Sequence, residues 1–195
     1  MTAIEHRILR LYSNASYRNL VAGFNWYTDA NQQCANVAVR YGVTLEQCCG
    51  VVAALSPGLQ WEYNIEHAQL LIEAWRKRGA IPVVGVYGRA NRDKALRILN
   101  GECVAACGLG LKTNAFYQCI MEPLDPDPVC VDRHAFSAAY GKSLRENELH
   151  GAVVGVVAYR NVSECYRRVA RWCGMLSNRL QAVVWLEWRE RVHDN

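Results

Sequence analysis

Apolar residues recur at steps of three and four along much of the chain, and this spacing constrains the fold more than any other feature of the sequence. Residues spaced in this way lie on one face of an α-helix, which can then pack against a neighbouring helix. We therefore predict a mainly α protein with short connections. Two series show the spacing most clearly: Ile65, Ala68, Leu71, Ile72 and Trp75, and then Leu180, Val183, Val184 and Trp188.

Capping residues and helix breakers predict where two helices begin and end. Thr44 is placed to cap a helix over TLEQCCGVVAAL, which Pro57 and Gly58 would stop. Asn91 is placed to cap a second helix over NRDKALRIL, and Gly101 stands just past its end.

Three segments interrupt the helical pattern. IPVVGVY (81–87) and GAVVGVVAY (151–159) are rich in β-branched residues and contain glycine, so each is a weak strand signal that fits helix or loop equally well. The proline-rich EPLDPDPVC (122–130) cannot be helical throughout, and it predicts an extended connector.

Composition is that of a soluble globular protein, since 51% of the residues are hydrophobic and 21% are charged. The N-terminus lacks the parts of a secretory signal, and no apolar run reaches the length of about 18 residues that spans a membrane. We expect a cytoplasmic protein with no membrane partner. The nine cysteines include no CxxC pair, so we interpret them as small buried hydrophobes and expect no metal ion.

Arginine is concentrated near the C-terminus. A patch of this kind binds nucleic acid in some proteins and is only a set of solvated helix faces in others, and the sequence leaves both interpretations open. The patch consists of Arg160, Arg167, Arg168, Arg171, Arg179, Arg189 and Arg191.

The segment CGLGLKTNAF (107–116) combines two glycines with one of only four lysines in the chain. Gly108 and Gly110 allow a tight bend between two helices, and the amides that open the second helix would form a phosphate-sized anion site. Leu111 separates Gly110 from Lys112, which breaks the Walker A signature, and a dinucleotide fingerprint would need a third glycine. The competing interpretation is an ordinary helix–loop–helix corner with an exposed lysine.

Asp132 follows the proline connector, within VCVDRHAFSAAYG (129–141), at the start of a predicted helix. Its carboxylate is placed to cap that helix. The functional alternative is a carboxylate that points into a cleft near Lys112.

These segments resemble the helix-hairpin-helix DNA glycosylase superfamily. GLGLKTNAF is similar to its hairpin, with Lys112 where glycosylases that also cleave the DNA backbone carry an amine. VDRH is similar to its aspartate segment, with Asp132 at the catalytic position and His134 matching a histidine. VVAALSPGLQWEYNIEHA resembles the helix leading to the residue that fills the space of an extruded base, here Gln60 or Leu59.

The resemblance is most specific over residues 101–140, and it implies a two-lobed helix-hairpin-helix glycosylase-like fold with a DNA cleft between the lobes. Cys107 stands where the hairpin usually has proline. Cys165 and Cys173 alone cannot ligate the iron–sulfur cluster of many relatives, so we expect none. The implied organisation of the single unit 1–195 is a central helical subdomain over 36–132 with the hairpin at 103–120, and a second helical subdomain from 1–35 and 133–195.

The resemblance implies a DNA N-glycosylase with AP lyase activity that acts on a damaged or modified base extruded from double-stranded DNA. An ionised Asp132 would stabilise the positive charge that builds on the sugar, and Lys112 would attack C1′ to form a Schiff base. It implies no cofactor and no obligate protein partner. The residues implied to contact DNA are Gly108, Gly110, Thr113, Gln60, Arg133 and His134.

Two other functions stay open. The chain also looks similar to small phage-encoded branches of the superfamily, some of which are implicated in thymine hypermodification, so a transferase acting on an activated 5-substituted thymine is one alternative. Its compartment would be the host cytoplasm. The second alternative is a non-catalytic helix-hairpin-helix DNA-binding protein, in which neither Lys112 nor Asp132 is a reagent.

Aromatic and histidine side chains are secondary candidates. Trp61, Tyr63, Trp185 and Trp188 would suit stacking on bases, although their helical spacing favours core positions, above all for Trp188. His67 would more simply serve a structural purpose on its helix.

Overall fold

The regular structure of the computed structural model, which describes residues 1–144 and 155–193, is entirely helical. The mainly α prediction is therefore confirmed, and no strand occurs within those ranges. None of the helices described there has both the length and the apolar character of a membrane span. The helices are α1 Ala3–Ser13, α2 Tyr17–Tyr41, α3 Leu45–Leu55, α4 Trp61–Arg76, α5 Arg89–Leu99, a 3-10 helix Val104–Cys107, α6 Leu111–Met121, α7 Arg133–Tyr140, α8 Val156–Trp172 and α9 Ser177–His193.

The chain divides into two compact units. The central unit is Asp29–Met121, and the terminal unit combines Met1–Thr28 with Glu122–Asn195. Helix α2 runs through the first boundary, and the proline-rich connector begins at the second. The corresponding predicted boundaries are residues 36 and 132, so both observed boundaries fall earlier in the chain.

Helix α3 is the buried centre of the central unit. Every side chain from Cys48 to Leu55 is buried, and the helix packs against α4, α5 and α6. Its start is held by a capping box, in which the backbone N–H of Gln47 donates to Thr44 Oγ1 at 3.0 Å. The helix ends at Leu55, two residues before Pro57, so both predicted ends are confirmed.

The apolar series on α4 is also confirmed. Ala68, Leu71 and Ile72 are fully buried, and Ile65 and Trp75 are half-buried at the edges of the same face. The spacing of three and four was sufficient here because one face of α4 packs on the core and the other meets water.

The core of the terminal unit is formed by α1, α7, α8 and α9. Leu180, Val183 and Val184 of α9 are fully buried, and Trp188 packs against the same core, as predicted. Helices α2 and α9 approach closely at Gly23, where an added Cβ would lie 2.5 Å from the Val183 nitrogen. Only glycine leaves room for this contact.

The predicted start of α5 is wrong. The helix begins at Arg89, and Gly88 with a φ of 69° is its N-cap, so Asn91 lies inside the first turn. The left-handed backbone of Gly88 turns the chain into the helix without a side-chain cap, which is why the capping residue was a poor guide. The helix ends at Leu99, before Gly101, as expected.

Neither weak strand signal forms a strand where the structure describes it. Residues 81–87 are irregular, and the Gly85 amide donates to His67 Nδ1 at 2.9 Å, which gives His67 the expected structural role. Residues 156–159 belong to the first turns of α8, whereas 151–154 lie outside the described residues. The connector 122–130 contains no helix, as predicted, but it is not extended throughout, because the Asp125 backbone N–H donates to the Glu122 carbonyl at 3.0 Å in a turn.

The cysteines are all free thiols. Seven of the nine are buried, Cys103 is exposed and Cys173 is half-buried. In the described part of the chain, no group of three His, Cys, Asp or Glu side chains is placed to hold a metal ion. The buried seven therefore behave as small core residues.

Candidate functional site

The glycine turn of the central unit joins the 3-10 helix to α6. Gly108 ends the 3-10 helix with φ 69° and ψ 38°, in the left-handed region that favours glycine. Helix α6 begins at Leu111. The backbone N–H of Asn114 donates to the Gly110 carbonyl at 2.8 Å and closes the first turn of the helix. The predicted bend over residues 108–110 is therefore present.

Open space surrounds both glycines. An added Cβ at Gly108 or at Gly110 would meet no atom of the described residues within 4 Å, apart from the glycine itself and its two chain neighbours. The positive φ of Gly108 explains why glycine occupies that position. Gly110 has no φ in the left-handed region, and none of the described residues lies close enough to exclude a side chain there. The adjacent first amides of α6 have no partner within their own helix, and they carry partial positive charge.

Two lysines lie at this turn. Lys112 and the neighbouring Thr113 are half-buried in the first turn of α6. Lys94 of α5 donates from Nζ to the Gly108 carbonyl at 2.9 Å. Sequence reasoning missed Lys94 because it lies on another helix, although the scarcity of lysine was a signal that could have found it. Lys94 therefore brings its Nζ to the backbone of the turn, and Lys112 lies in the first turn of the adjoining helix.

Asp132 caps α7 in the terminal unit. Buried Val129 and Val131 fix the approach to it, and Oδ1 accepts a hydrogen bond from the Ala135 amide at 2.8 Å. The predicted capping role is confirmed. The second oxygen, Oδ2, accepts a hydrogen bond from Trp185 Nε1 at 2.9 Å. Both oxygens of this half-buried carboxylate are therefore held in place.

Trp185 lies among ionisable side chains of the terminal unit. The Arg189 guanidinium lies over its ring, 4.4 Å from the centroid, and the His134 ring meets it edge-on at 6.1 Å. Arg133, beside Asp132, is exposed. Tyr166 is fully buried in the same unit. This burial is the main reason why the pKa of Tyr166 lies well above its usual value, and the charge of Asp132 raises it further. Trp185 thus has a defined polar partner that its helical spacing did not reveal.

The turn before α4 holds the other predicted DNA contact. Gln60 is exposed, and it precedes α4 without a side-chain capping bond, while Leu59 is half-buried. Trp61 Nε1 donates to Gln33 Oε1 at 3.1 Å, and the Trp61 ring meets the Phe116 ring edge-on at 6.4 Å. Trp61 is therefore a packing residue of the central unit, whereas Tyr63 is exposed.

The predicted site residues fall into two groups. One group belongs to the central unit and consists of Gln60, Gly108, Gly110, Lys112 and Thr113. All of these except Gln60 lie at the glycine turn. Asp132, Arg133 and His134 belong to the terminal unit, at the start of α7.

Most arginines of the C-terminal patch have partners inside the terminal unit. This pairing favours the interpretation of the patch as structural and solvated helix faces. The contacts are Arg168 to Glu5 at 2.9 Å, Arg171 to Glu164 at 2.8 Å, Arg191 to Glu187 at 3.0 Å, Arg167 Nε to the Asp127 carbonyl at 2.7 Å, and the guanidinium of Arg179 over the Phe24 ring at 4.8 Å.

Comparison with known proteins gives one relationship. No curated protein and no solved structure matches the chain significantly. The model of a family of unknown function, DUF7178, matches residues 1–192, and the chain therefore belongs to that family.

Proposed function

We propose that the protein is a DNA N-glycosylase with AP lyase activity, which extrudes a damaged or modified base from duplex DNA and releases it. The observation that carries the proposal is the hairpin turn: open backbone at Gly108 and Gly110 leads directly into a helix whose first turn holds Lys112. The oriented carboxylate of Asp132 adds the second reagent.

The hairpin supports the DNA-binding part of the proposal. A phosphate of the DNA backbone fits the first amides of α6, because the lack of side chains at Gly108 and Gly110 lets it approach. Lys94 Nζ, held at the Gly108 carbonyl, adds a full charge beside that position. These contacts would position the duplex without reading its sequence.

Asp132 supports the base-release part. Breaking the glycosidic bond builds positive charge on the sugar, and an ionised carboxylate beside the sugar stabilises that charge. The hydrogen bonds from Ala135 and Trp185 fix both oxygens before the substrate arrives, so little reorganisation is needed during the reaction.

Lys112 supports the lyase part. In the proposed step the neutral amine of Lys112 forms a bond to C1′ as the bond from C1′ to the base breaks, and the proton that its nitrogen then loses goes to the departing base. The C1′–O4′ bond then breaks to give a protonated Schiff base, and O4′ takes a proton from water. Water removes a proton from C2′, and the bond from C3′ to the oxygen of the 3′ phosphate breaks in the β-elimination. Asp132 and Lys112 belong to different units, and the proposal requires both to act on one nucleotide.

Borohydride trapping on a duplex with an abasic site tests the lyase step without knowledge of the target base. We expect a covalent protein–DNA complex with the parent protein and none with Lys112→Ala. Lys94→Ala, trapped at saturating protein, is the matched comparison, because Lys94 lies at the same turn and its loss should weaken DNA binding but leave the proposed nucleophile in place. A complex that persists in Lys112→Ala and disappears in Lys94→Ala would contradict the assignment of the amine.

Base release is tested on duplexes that each contain one damaged or modified base. Asp132→Asn is expected to lower the single-turnover rate by about 100- to 1,000-fold, since it removes the charge and keeps the shape. Mass spectrometry of the treated DNA identifies the product. A free base supports the proposal, whereas a heavier nucleoside with its sugar attached would replace it with the base-modifying transferase. Tight DNA binding with neither product would leave only the binding module.

A further inference from the structure

Asp132 makes one hydrogen bond more than helix capping requires. Capping uses Oδ1, which accepts from Ala135 three residues later. The bond from Trp185 Nε1 to Oδ2 joins α7 to α9 across 53 positions of sequence. With one oxygen held, a carboxylate can still rotate, whereas bonds to both oxygens define its plane. The second bond therefore sets an orientation that the cap leaves open.

We propose that Trp185 is a positioning residue, whose indole N–H holds the Asp132 carboxylate in the orientation that base release requires. The inference rests on the glycosylase function proposed above. An indole N–H only donates, so Trp185 cannot exchange a proton with the carboxylate and acts through it alone.

The indole ring is itself fixed. Leu180 and Val184, on the neighbouring turns of α9, are fully buried and anchor this helix in the core of the terminal unit. The Arg189 guanidinium covers one face of the ring at 4.4 Å, and His134 meets its edge. The Arg189 cation is attracted to the face of the indole ring, and the Asp132 carboxylate is attracted to the indole N–H. The two contacts use different parts of the Trp185 side chain, so both can form at once. Arg189 thereby supports the hydrogen bond to Asp132.

Each Asp132 oxygen keeps a lone pair after accepting one hydrogen bond, so the carboxylate can still face the sugar. Electrostatic stabilisation depends on where those oxygens lie when charge develops, and a displacement of about 1 Å can cost about 100-fold in rate. The role of Trp185 is therefore expected to appear in the chemical step and not in DNA binding.

Trp185→Phe is the first test variant, because it keeps an aromatic ring under Arg189 and removes the donor, together with part of the ring volume. Trp172→Phe is the matched control, since that indole is 68% exposed and belongs to the same unit. For Trp185→Phe we expect the single-turnover rate of base release to fall about 10- to 100-fold, with an unchanged Kd for duplex DNA and nearly unchanged Tm. The control is expected to match the parent in all three measurements.

Trp185→His provides a second variant, which returns a ring N–H on a smaller side chain and is expected to recover part of the lost rate. A parental rate in Trp185→Phe would overturn the inference. So would a large fall in Tm that Trp185→His repeats without any recovery of rate, because a purely structural role would then account for both variants.

The indole N–H resonance of Trp185 separates this inference from the function on which it rests. In a proton–nitrogen NMR spectrum, the signal missing from Trp185→Phe is expected to shift in Asp132→Asn, because its acceptor has changed. If no duplex yields a free base, the proposed function fails and the positioning role fails with it, even where the shift is seen. If the base is released but the chemical shift of the Trp185 indole N–H is unchanged in Asp132→Asn, only the positioning role is overturned.

Discussion

Glu187 of α9 is a carboxylate that the terminal unit buries to 7% exposure and surrounds with donors. Its oxygens accept hydrogen bonds from Asn19 Nδ2 at 3.0 Å, Arg191 Nε at 3.0 Å and the Ser16 amide at 3.2 Å. Burial alone would raise the pKa of Glu187, but the hydrogen bonds from Asn19, Arg191 and Ser16 outweigh it and lower the pKa. The charged form is therefore the one that stabilises the fold.

Glu187→Gln is expected to lower the free energy of unfolding by about 1–3 kcal/mol at pH 7, because a charged acceptor with several donors is lost. A carboxyl with a lowered folded pKa stabilises the protein above its unfolded pKa of about 4.3, and that stabilisation disappears as the pH falls through the folded value. The difference between parent and variant should therefore shrink at pH 3.5.

Urea unfolding followed by circular dichroism at both pH values measures the effect of Glu187→Gln. Glu66→Gln is the control, since Glu66 is exposed on α4 and is expected to change little at either pH. An equal loss for Glu187→Gln at pH 7 and pH 3.5 would contradict the role of the charge.

At the scale of an element, the turn over residues 108–110 uses its two glycines for different reasons. Gly108 has a φ of 69°, whereas no φ in the left-handed region and no neighbour within 4 Å requires glycine at Gly110. The first glycine therefore belongs to the fold of the hairpin. The second is explained by what approaches the hairpin from outside, if the proposed function is correct.

Substitution with alanine separates these two reasons. Gly108→Ala is expected to cost about 1–2 kcal/mol of stability, because an L-residue is strained in the left-handed region. Gly110→Ala should leave Tm nearly unchanged and weaken duplex binding, because its methyl group would occupy the space of the phosphate. Thermal melts and fluorescence anisotropy with a labelled duplex measure both effects. Unchanged affinity in Gly110→Ala, with the protein folded, would show that no phosphate lies there.

Whole-molecule electrostatics cannot be read from the positions of arginine in the chain. The sequence left open whether the C-terminal patch binds nucleic acid. In the structure Arg167, Arg168 and Arg171 are each held by acidic side chains or a carbonyl of the terminal unit. Lys94 and Lys112 lie beside open backbone in the central unit. We therefore expect Lys94 to supply more of the phosphate contacts than the patch.

The salt dependence of duplex binding tests this distribution. Lys94→Ala is expected to reduce the slope of log K against log salt concentration by about 1, because one phosphate contact is lost. Arg167→Ala is the matched control in the terminal unit, and its slope should equal that of the parent. An unchanged slope for Lys94→Ala together with a reduced slope for Arg167→Ala would instead assign the phosphate contacts to the arginine patch.

How far sequence predicted the molecule depends on the distance over which each feature is determined. The cap at Thr44, the stop before Pro57 and the bend at Gly108 all follow from residues within one helical turn, and each was predictable. The cap of α5 was predicted wrongly, although it is local, because the backbone of Gly88 replaces a side-chain cap. The capping role of Asp132 was predictable because the cap joins residues three positions apart, whereas the role of Lys112 stays a prediction.

By itself, therefore, the sequence determined the helical class, both ends of α3, the C-terminal end of α5, the glycine turn and the N-terminal position of Asp132 on α7. Backbone preferences and hydrogen bonds over three or four residues decide these features. Only the tertiary structure decided that Lys94 meets the Gly108 carbonyl, that the arginine patch is largely paired, and that Trp185 donates to Asp132. Those contacts join distant parts of the chain, and they depend on how whole helices pack.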